Sequence, residues 1–450
     1  METRPGRPDG FTVIEVVAAV TVLMIALLGA ALLFENGIIV SGNTRNRVVA
    51  AQLASQAMET IRGTAADPTK FTSITEGQTV WTQTVNGVKY TITQDAQFTA
   101  QGSQQSTCDA PGNASGYILA VNEKVIWSGM AGTQPVQQTT DLAAPVGAYN
   151  ASSGSIAVKV FDSNGALNPN INIQISGPAT QTQQTTAEGC AFFPYLPVGT
   201  YTVKVIEGTG VGDQEVVAPA QTTSVSVGQT AALQFNYDNP ATISITGWTG
   251  SVATPASGIP ISVSNTGLQP YGQYSYAAGT TTLSPLFPYA SGYTVFAGNC
   301  TDNNPVGKDT NRNPFYPSAA ATPLDVNPSQ NTPTAVTLYD VAVHVQDSLA
   351  APVAGATLTA PETTSYGTPN TAVCTTGTAN GTAPTLGLVT TDASGNSTTA
   401  MPLGHFTINA HAGTKNGSVN IWVKPDAVYA VDANGNATTA FGGPITVVVS

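Results

Sequence analysis

The chain has 450 residues, enough for several domains, and only 9% are charged while 44 are Gly and 30 are Pro. That balance excludes a charge-rich intracellular enzyme and points to an exported, turn-rich β-protein. The net charge of −12 falls on residues 64–450, because residues 1–63 hold five arginines and five acids; a surface so short of clustered Lys and Arg excludes nucleic acid as a partner.

The chain opens on a polar stretch, Met1 to Gly10, that carries Arg4 and Arg7. Gly10-Phe11-Thr12-Val13-Ile14-Glu15 follows, and then Val16 to Phe34 runs for 19 residues without a charge. As a helix that run is about 28 Å long, which matches a hydrocarbon core of roughly 30 Å. A secretory signal peptide would have a shorter apolar region and a small-x-small cleavage site, whereas this run ends Leu32-Leu33-Phe34-Glu35. A plain signal anchor explains the span and the two arginines but not Glu15, since a carboxylate at the mouth of a spanning segment is costly. Gly37 and Gly42 weaken the helix beyond the span. Helical character returns over residues 43–62, where Val49, Leu53, Ala57, Met58 and Ile61 recur at three- and four-residue spacing. Gly63 and Pro68 end the helix.

These N-terminal residues resemble the type IV prepilins with a short polar leader: Gly10 before the cleavage point, Phe11 first in the mature chain, Glu15 fifth, and an apolar helix directly after. The resemblance covers residues 1 to about 62. It implies that a prepilin peptidase cuts between Gly10 and Phe11 and that Phe11 is N-methylated. It also implies that Glu15 pairs with the terminal amine of a neighbouring pilin or pseudopilin subunit, which makes a carboxylate tolerable in an apolar bundle. The implied location is the bacterial cytoplasmic membrane, spanned once by Val16–Phe34 with an extracellular C-terminal part, and then a cell-surface filament.

Beyond the helix the pattern is β. Thr79 to Val85 and Val88 to Thr93 alternate on either side of Asn86-Gly87, a type I′ hairpin signal. Tyr117–Val121 and Lys124–Trp127 read as a second pair of strands, and residues 129–154, with Pro135 and Pro145, read as a linker. A weak internal repeat follows. One copy holds Ile156–Asp162, Ile171–Ile175, Thr185–Gly189 and Leu196–Val205. Another holds Val341–Asp347, Val353–Leu358, Thr390–Gly395 and Met401–Ile408, and between them lies a looser copy with Ile243–Ile245, Gly258–Val263 and Ala290–Val295. Pro444–Ser450 reads as a last strand. The copies resemble carboxypeptidase regulatory-like and collagen-adhesin B-type sandwiches, which implies stalk or spacer modules, some of them carbohydrate-contacting. The expected fold is therefore a long N-terminal α-helix, membrane-spanning in its first half and amphipathic in its second, packed on an antiparallel pilin-like β-domain and followed by about three immunoglobulin-like all-β sandwich modules. The expected boundaries are 1–10 leader, 11–63 helix, 64–150 pilin-like domain and linker, and 151–238, 239–336 and 337–450 for the modules.

Cys108, Cys190, Cys300 and Cys374 lack metal-ligand spacing. In an exported chain they make two disulfides, with three pairings open. His405 and His411 fall six apart in one expected strand, about 20 Å of chain, and read as partly exposed strand residues rather than joint metal ligands. The oxygen-rich segments 301–314 and 432–436 have the composition of calcium loops but read as Asx turns. No phosphate-cradling loop, nucleophile elbow or zinc-protease signature is present, so neither a catalytic centre nor a cofactor is expected. The reading is a minor type IV pilin or pseudopilin, borne at low stoichiometry or at a filament tip, with a large ectodomain for adhesion to an extracellular glycan or protein or for spacing. Its rivals are a secretion-system pseudopilin and a membrane-anchored adhesin that does not polymerise.

Overall fold

The computed structural model describes residues 12–71, 74, 76–100, 107–109, 117–130, 133–145, 148, 152–206, 208–268, 272–308, 312–317, 321–363, 365–366, 371–372, 383–432 and 434–450. One N-terminal apolar helix is followed by an all-β body of many short sheets. Gly10, Phe11 and Cys374 lie outside the described residues.

Helix α1, Val13–Ala65, is 53 residues long, or about 80 Å. Its segment Val13–Ala31 has a mean hydropathy of 2.5 and no buried residue, and by length and composition it can cross a membrane. Its far half is amphipathic: Ala50, Leu53, Ala54, Ala57, Met58, Ile61 and Ala65 are buried at the three- and four-residue spacing that keeps one face inward. A short helix, α2 (Pro68–Phe71), follows. Asp67 starts it by accepting the Thr69 N–H at 3.0 Å and the Thr69 hydroxyl at 2.7 Å, with Pro68 in the first-turn position that needs no donor.

The buried helix face rests on an antiparallel meander of β1 (Gly77–Val85), β2 (Val88–Ala100), β3 (Tyr117–Trp127) and β4 (Val136–Ala143), hydrogen-bonded in that order. Ala50 to Ala57 pack with Tyr90, Ile92, Val125 and Trp127. Met58, Ile61 and Ala65 pack with Phe71, Phe98, Leu119 and Phe192. The expected hairpin is present: Asn86 and Gly87 have φ of 51° and 80°, the pair a type I′ turn requires. Two readings of this region are corrected. Tyr117–Trp127 is one strand, not a pair, because Asn122 and Glu123 continue the ladder opposite Asp95 and Gln94, and the buried Glu123 carboxylate accepts from the Gln94 amide. Residues 136–143, taken for linker, form β4, whose alternate positions from Val136 to Leu142 turn toward the helix side.

The remaining strands repeat one scheme. The first set is β5 (Ser153–Phe161), β6 (Asn172–Ser176), β7 (Gln181–Gln184), β8 (Cys190–Pro197), β9 (Gly199–Val205), β10 (Val211–Gly212), β11 (Ala220–Val225) and β12 (Thr230–Asp238). The second is β13 (Ala241–Thr249), β14 (Thr254–Pro255), β15 (Ile261–Ser264), β16 (Gln273–Tyr276), β17 (Thr282–Leu286), β18 (Thr294–Ala297) and β19 (Asn331–Thr337). The third is β20 (Tyr339–Asp347), β21 (Thr357–Pro361), β22 (Ser365–Tyr366), β23 (Thr371–Ala372), β24 (Thr385–Gly387), β25 (Asn396–Met401), β26 (Gly404–Ala412), β27 (Lys415–Val423), β28 (Val428–Val431), β29 (Ala437–Ala440) and β30 (Ile445–Val449). In each set the first long strand lies between a later strand and the last one: β8-β5-β12, β17-β13-β19 and β25-β20-β30. The second long strand lies between two later strands: β7-β6-β9, β16-β15-β18 and β24-β21-β26. Strands β13 and β19, and β20 and β30, run parallel.

The repeat is also local. Asp162 accepts the backbone N–H groups of Asn164 and Ala166. Asp347 does the same for Leu349 and Ala351, Asp392 for Ser394 and Asn396, and Asp432 for Asn434 and Asn436. These are Asx turns, so the oxygens of Asp432 face turn donors rather than an open loop.

By compactness the chain divides into two units: residues 1–158, 176–201 and 223–232, and residues 159–175, 202–222 and 233–450. The first holds the helix, the meander and the core around Phe71, Phe98 and Phe192. The second holds a continuous core from Ala241 to Val449 that includes Tyr293, Val343, Phe406 and Val447.

Candidate functional site

The sequence nominates three groups of residues. At the N-terminus, Thr12 (φ −73°, ψ 148°) is the N-cap of α1. Its hydroxyl accepts the Glu15 N–H at 3.3 Å, and Glu15 Oε2 accepts from the Thr12 N–H at 3.3 Å and the Thr12 hydroxyl at 3.1 Å. This capping box satisfies donors that the helix itself leaves free. Glu15 therefore has a local partner before any neighbouring subunit is considered. Thr12 was missed as a functional residue, although the Thr-x-x-Glu spacing that announces it is plain in the sequence.

The second group is the cysteines. Cys108 and Cys190 form a disulfide with Cα atoms 5.9 Å apart, 82 residues distant in sequence. It ties the segment before β3 to β8. Cys300 is also disulfide-bonded, which removes its sulfur as a thiolate ligand.

The third group is the histidines, and here the sequence reading is corrected. His405 is not partly exposed but only 2% accessible. It follows Gly404 at the start of β26, where strand alternation alone gives no sign of a polar partner. That partner is Asp302, 103 residues earlier in a single 3-10 turn, Thr301–Asn303. Asp302 Oδ2 accepts the His405 backbone N–H at 3.0 Å and the Nδ1–H at 2.9 Å. The other ring nitrogen faces the Gly435 carbonyl at 3.2 Å. The ring stacks on Trp422 at 4.1 Å, and Lys424 Nζ lies 3.9 Å from the centre of the same indole.

Beside this pair, Asn303 donates from Nδ2 to Glu362 and, at 2.7 Å, to the Leu403 carbonyl. Tyr316 donates to the Asp302 carbonyl. Gly404 has φ of +128°, and a Cβ there would meet Asn303 Nδ2 at 2.6 Å and Glu362 Oε1 at 2.9 Å. Only glycine combines that backbone with that proximity. Burial, and then the Asp302 carboxylate, push Glu362 well above the usual carboxylate range. Asp302 Oδ1 and Glu362 Oε2 are buried without a partner, and ligand atoms of Cys300, Asp302 and Glu362 lie within 4.8 Å of one another. Two open carboxyl oxygens beside a bonded sulfur do not make the six to eight oxygens calcium takes. The cluster is a buried polar knot that ties the turn Thr301–Asn303 to Glu362 and the start of β26.

A cleft of about 460 Å³ lies nearby, lined by Thr294, Phe296, Asn303, Thr337, Tyr339 and Pro425 among others, with no charged side chain.

No known protein-family model and no curated protein matches the chain. Solved structures similar to parts of it include the TIE protein of Bacillus anthracis, at 14% identity over 84% of this chain and 76% of that one, with a TM-score of 0.20. They also include BcpA, the major pilin subunit of Bacillus cereus, at 10% identity over 66% of this chain and 98% of that one, with a TM-score of 0.19. A streptococcal ancillary pilin matches at 11% identity over 66% and 99%, with a TM-score of 0.16. At these values the likenesses establish neither family nor function.

Proposed function

We propose that the chain is a minor type IV pilin or pseudopilin: cut by a prepilin peptidase between Gly10 and Phe11, held in the bacterial cytoplasmic membrane through Val16–Phe34, and drawn into a surface filament with other pilin or pseudopilin subunits. The observation that carries this reading is the division of labour along α1. Its second half is buried on its own sheet, while Val13–Ala31 offers an apolar surface, charged only at Glu15, that its own chain does not bury. Such a surface is covered by lipid before assembly and by neighbouring helices after it.

The body is then a spaced ectodomain: a pilin-like domain over 64–150 and immunoglobulin-like modules over 151–238, 239–336 and 337–450, supported by the strand scheme that recurs three times. A subunit with so bulky an ectodomain suits low stoichiometry or the filament tip. The neutral cleft beside Asn303 suits a hydroxyl-rich glycan, which aromatic faces, hydroxyls and amides recognise without charge. A glycan array of the ectodomain tests that role, and silence across the array leaves spacing as its work.

One observation favours a rival. Thr12 already donates to the Glu15 carboxylate from its N–H and its hydroxyl, so an anchored adhesin that never polymerises also accounts for this carboxylate. Recovery of Glu15→Leu and Thr12→Ala proteins in sheared filaments separates the two. Pairing between subunits predicts that Glu15→Leu is lost from filaments but not from membranes, while Thr12→Ala assembles within about twofold of wild type. Loss of filaments to the same degree in both variants would reduce Glu15 to a capping residue.

A further inference from the structure

Among the described residues five Asp or Glu side chains are buried: Glu76, Glu123, Glu215, Asp302 and Glu362. Carboxyl groups are almost never fully buried unless partnered, so their placement carries information. Four of the five gather where one proposed module gives way to the next. Glu76, just before β1, accepts the Phe98 N–H at 2.6 Å with one oxygen and the Phe192 N–H of β8 at 2.8 Å with the other. Gln183 flanks it, accepting the Glu76 N–H at 2.9 Å and donating to the Ile74 carbonyl at 3.4 Å. Glu215, in the loop after β10, accepts the Phe287 N–H at 2.7 Å and contacts the Tyr293 hydroxyl. Asp302 takes the His405 N–H, with Glu362 behind it.

The three share one construction. A loop carboxyl from the earlier module receives a backbone N–H from the later one: Phe192, Phe287 or His405. A backbone donor cannot change rotamer, so each bond fixes position more firmly than a pair of side chains would. We propose that these buried carboxyls are the joints of the ectodomain, each locking one module to the next, and that raising the pH loosens the two made by Glu76 and Glu215. The proposal rests on the module division stated above.

The protonation chemistry gives the direction. Burial first, with Asp95 and Glu188 adding to it, pushes Glu76 up to about 8 against its two N–H donors. Burial likewise pushes Glu215 up to about 8, with Asp213 adding to it and the Tyr293 and Phe287 donors opposing; Tyr276 and Tyr289 also face it. The Tyr293 hydroxyl has one proton and stands 2.7 Å from the Phe287 carbonyl. If it donates there, Glu215 must donate to it, which is the protonated state. Glu362 and His405 face Asp302. A carboxyl whose folded value lies above its unfolded 4.5 binds the proton more tightly when folded. Its contribution is fully present below about 4.5 and is lost as pH rises through about 8.

Hydrogen exchange followed by mass spectrometry tests this on the full chain in detergent micelles. Glu76→Ala should speed exchange at Phe98 and Phe192 by at least about tenfold. Glu215→Ala should do so at Phe287, and Asp302→Ala at His405. Peptides inside the modules, such as Val203–Val205 and Val343–Val345, should stay within about twofold of wild type. Tyr293→Phe keeps the packing and removes only the hydroxyl, and serves if a charge variant fails to fold. In wild type, exchange at Phe192 and Phe287, corrected for its intrinsic pH dependence, should be faster at pH 9 than at pH 6. Protection unchanged in the variants would overturn the joints and leave the modules standing. Protection lost evenly along the chain would overturn the module division itself.

Discussion

Two regions of this protein are built from the same apolar residues and treat them in opposite ways. Val13, Val20 and Leu27 of α1 are 82%, 44% and 61% exposed, whereas Val343, Val345, Val447 and Val449 of the last strand set are at most 1% exposed. The difference lies in the interleaving. Strands β20 and β30 alternate buried and more exposed positions, so one face meets water while the other meets the opposing sheet. The first half of α1 has no polar face and cannot lie on a water-facing domain; its partner must be lipid or another helix. One region carries its partner within the chain and the other must find it outside.

That contrast is broken most forcefully in the core. Phe192 is wholly buried among Phe98, Tyr117 and Phe71, and Phe192→Ala should cost about 3–5 kcal/mol in denaturant unfolding. Leu27→Ala removes an equally apolar side chain yet should leave unfolding of the β-body unchanged, lowering only recovery in membranes or filaments. Equal destabilisation by the two would erase the distinction. Removing the bridge across 82 residues with Cys190→Ser should cost about 4 kcal/mol, read as a lower unfolding midpoint under oxidising conditions and no difference from wild type under reduction.

Smaller effects sharpen the picture. Gly404→Ala forces a Cβ into the Asn303 and Glu362 knot from a left-handed backbone, and should cost at least about 2 kcal/mol. Its signature is faster exchange at His405 rather than a change in α1. Thr12→Ala removes one half of the capping box and should cost about 1 kcal/mol of local helix stability, seen as fraying of the first turn by hydrogen exchange with the β-body unaffected.

Legibility in the sequence followed the range of the interaction. The helix, the Asn86-Gly87 hairpin, the repeated strand pairs and the Asp-centred turns rest on neighbours within a few residues, and each is visible in the pattern. Strand β4 was hidden because Gln and Thr on a half-buried surface look like linker composition. Asn122-Glu123 imitated a turn because nothing local shows that Gln94 waits across the ladder. His405 reads as an ordinary strand residue because the acid that buries it is 103 residues away. Of the candidate assembly residues, Glu15 was legible by resemblance, while Thr12, which was missed, needed only the helix-capping rule.

The reading depends most on what happens between Gly10 and Phe11. Intact-mass and N-terminal sequence analysis of the protein purified from membranes of cells that carry a prepilin peptidase tests it directly. The account predicts a mature chain that begins at a methylated Phe11. A chain that still begins at Met1 would contradict it and leave an anchored surface protein in its place.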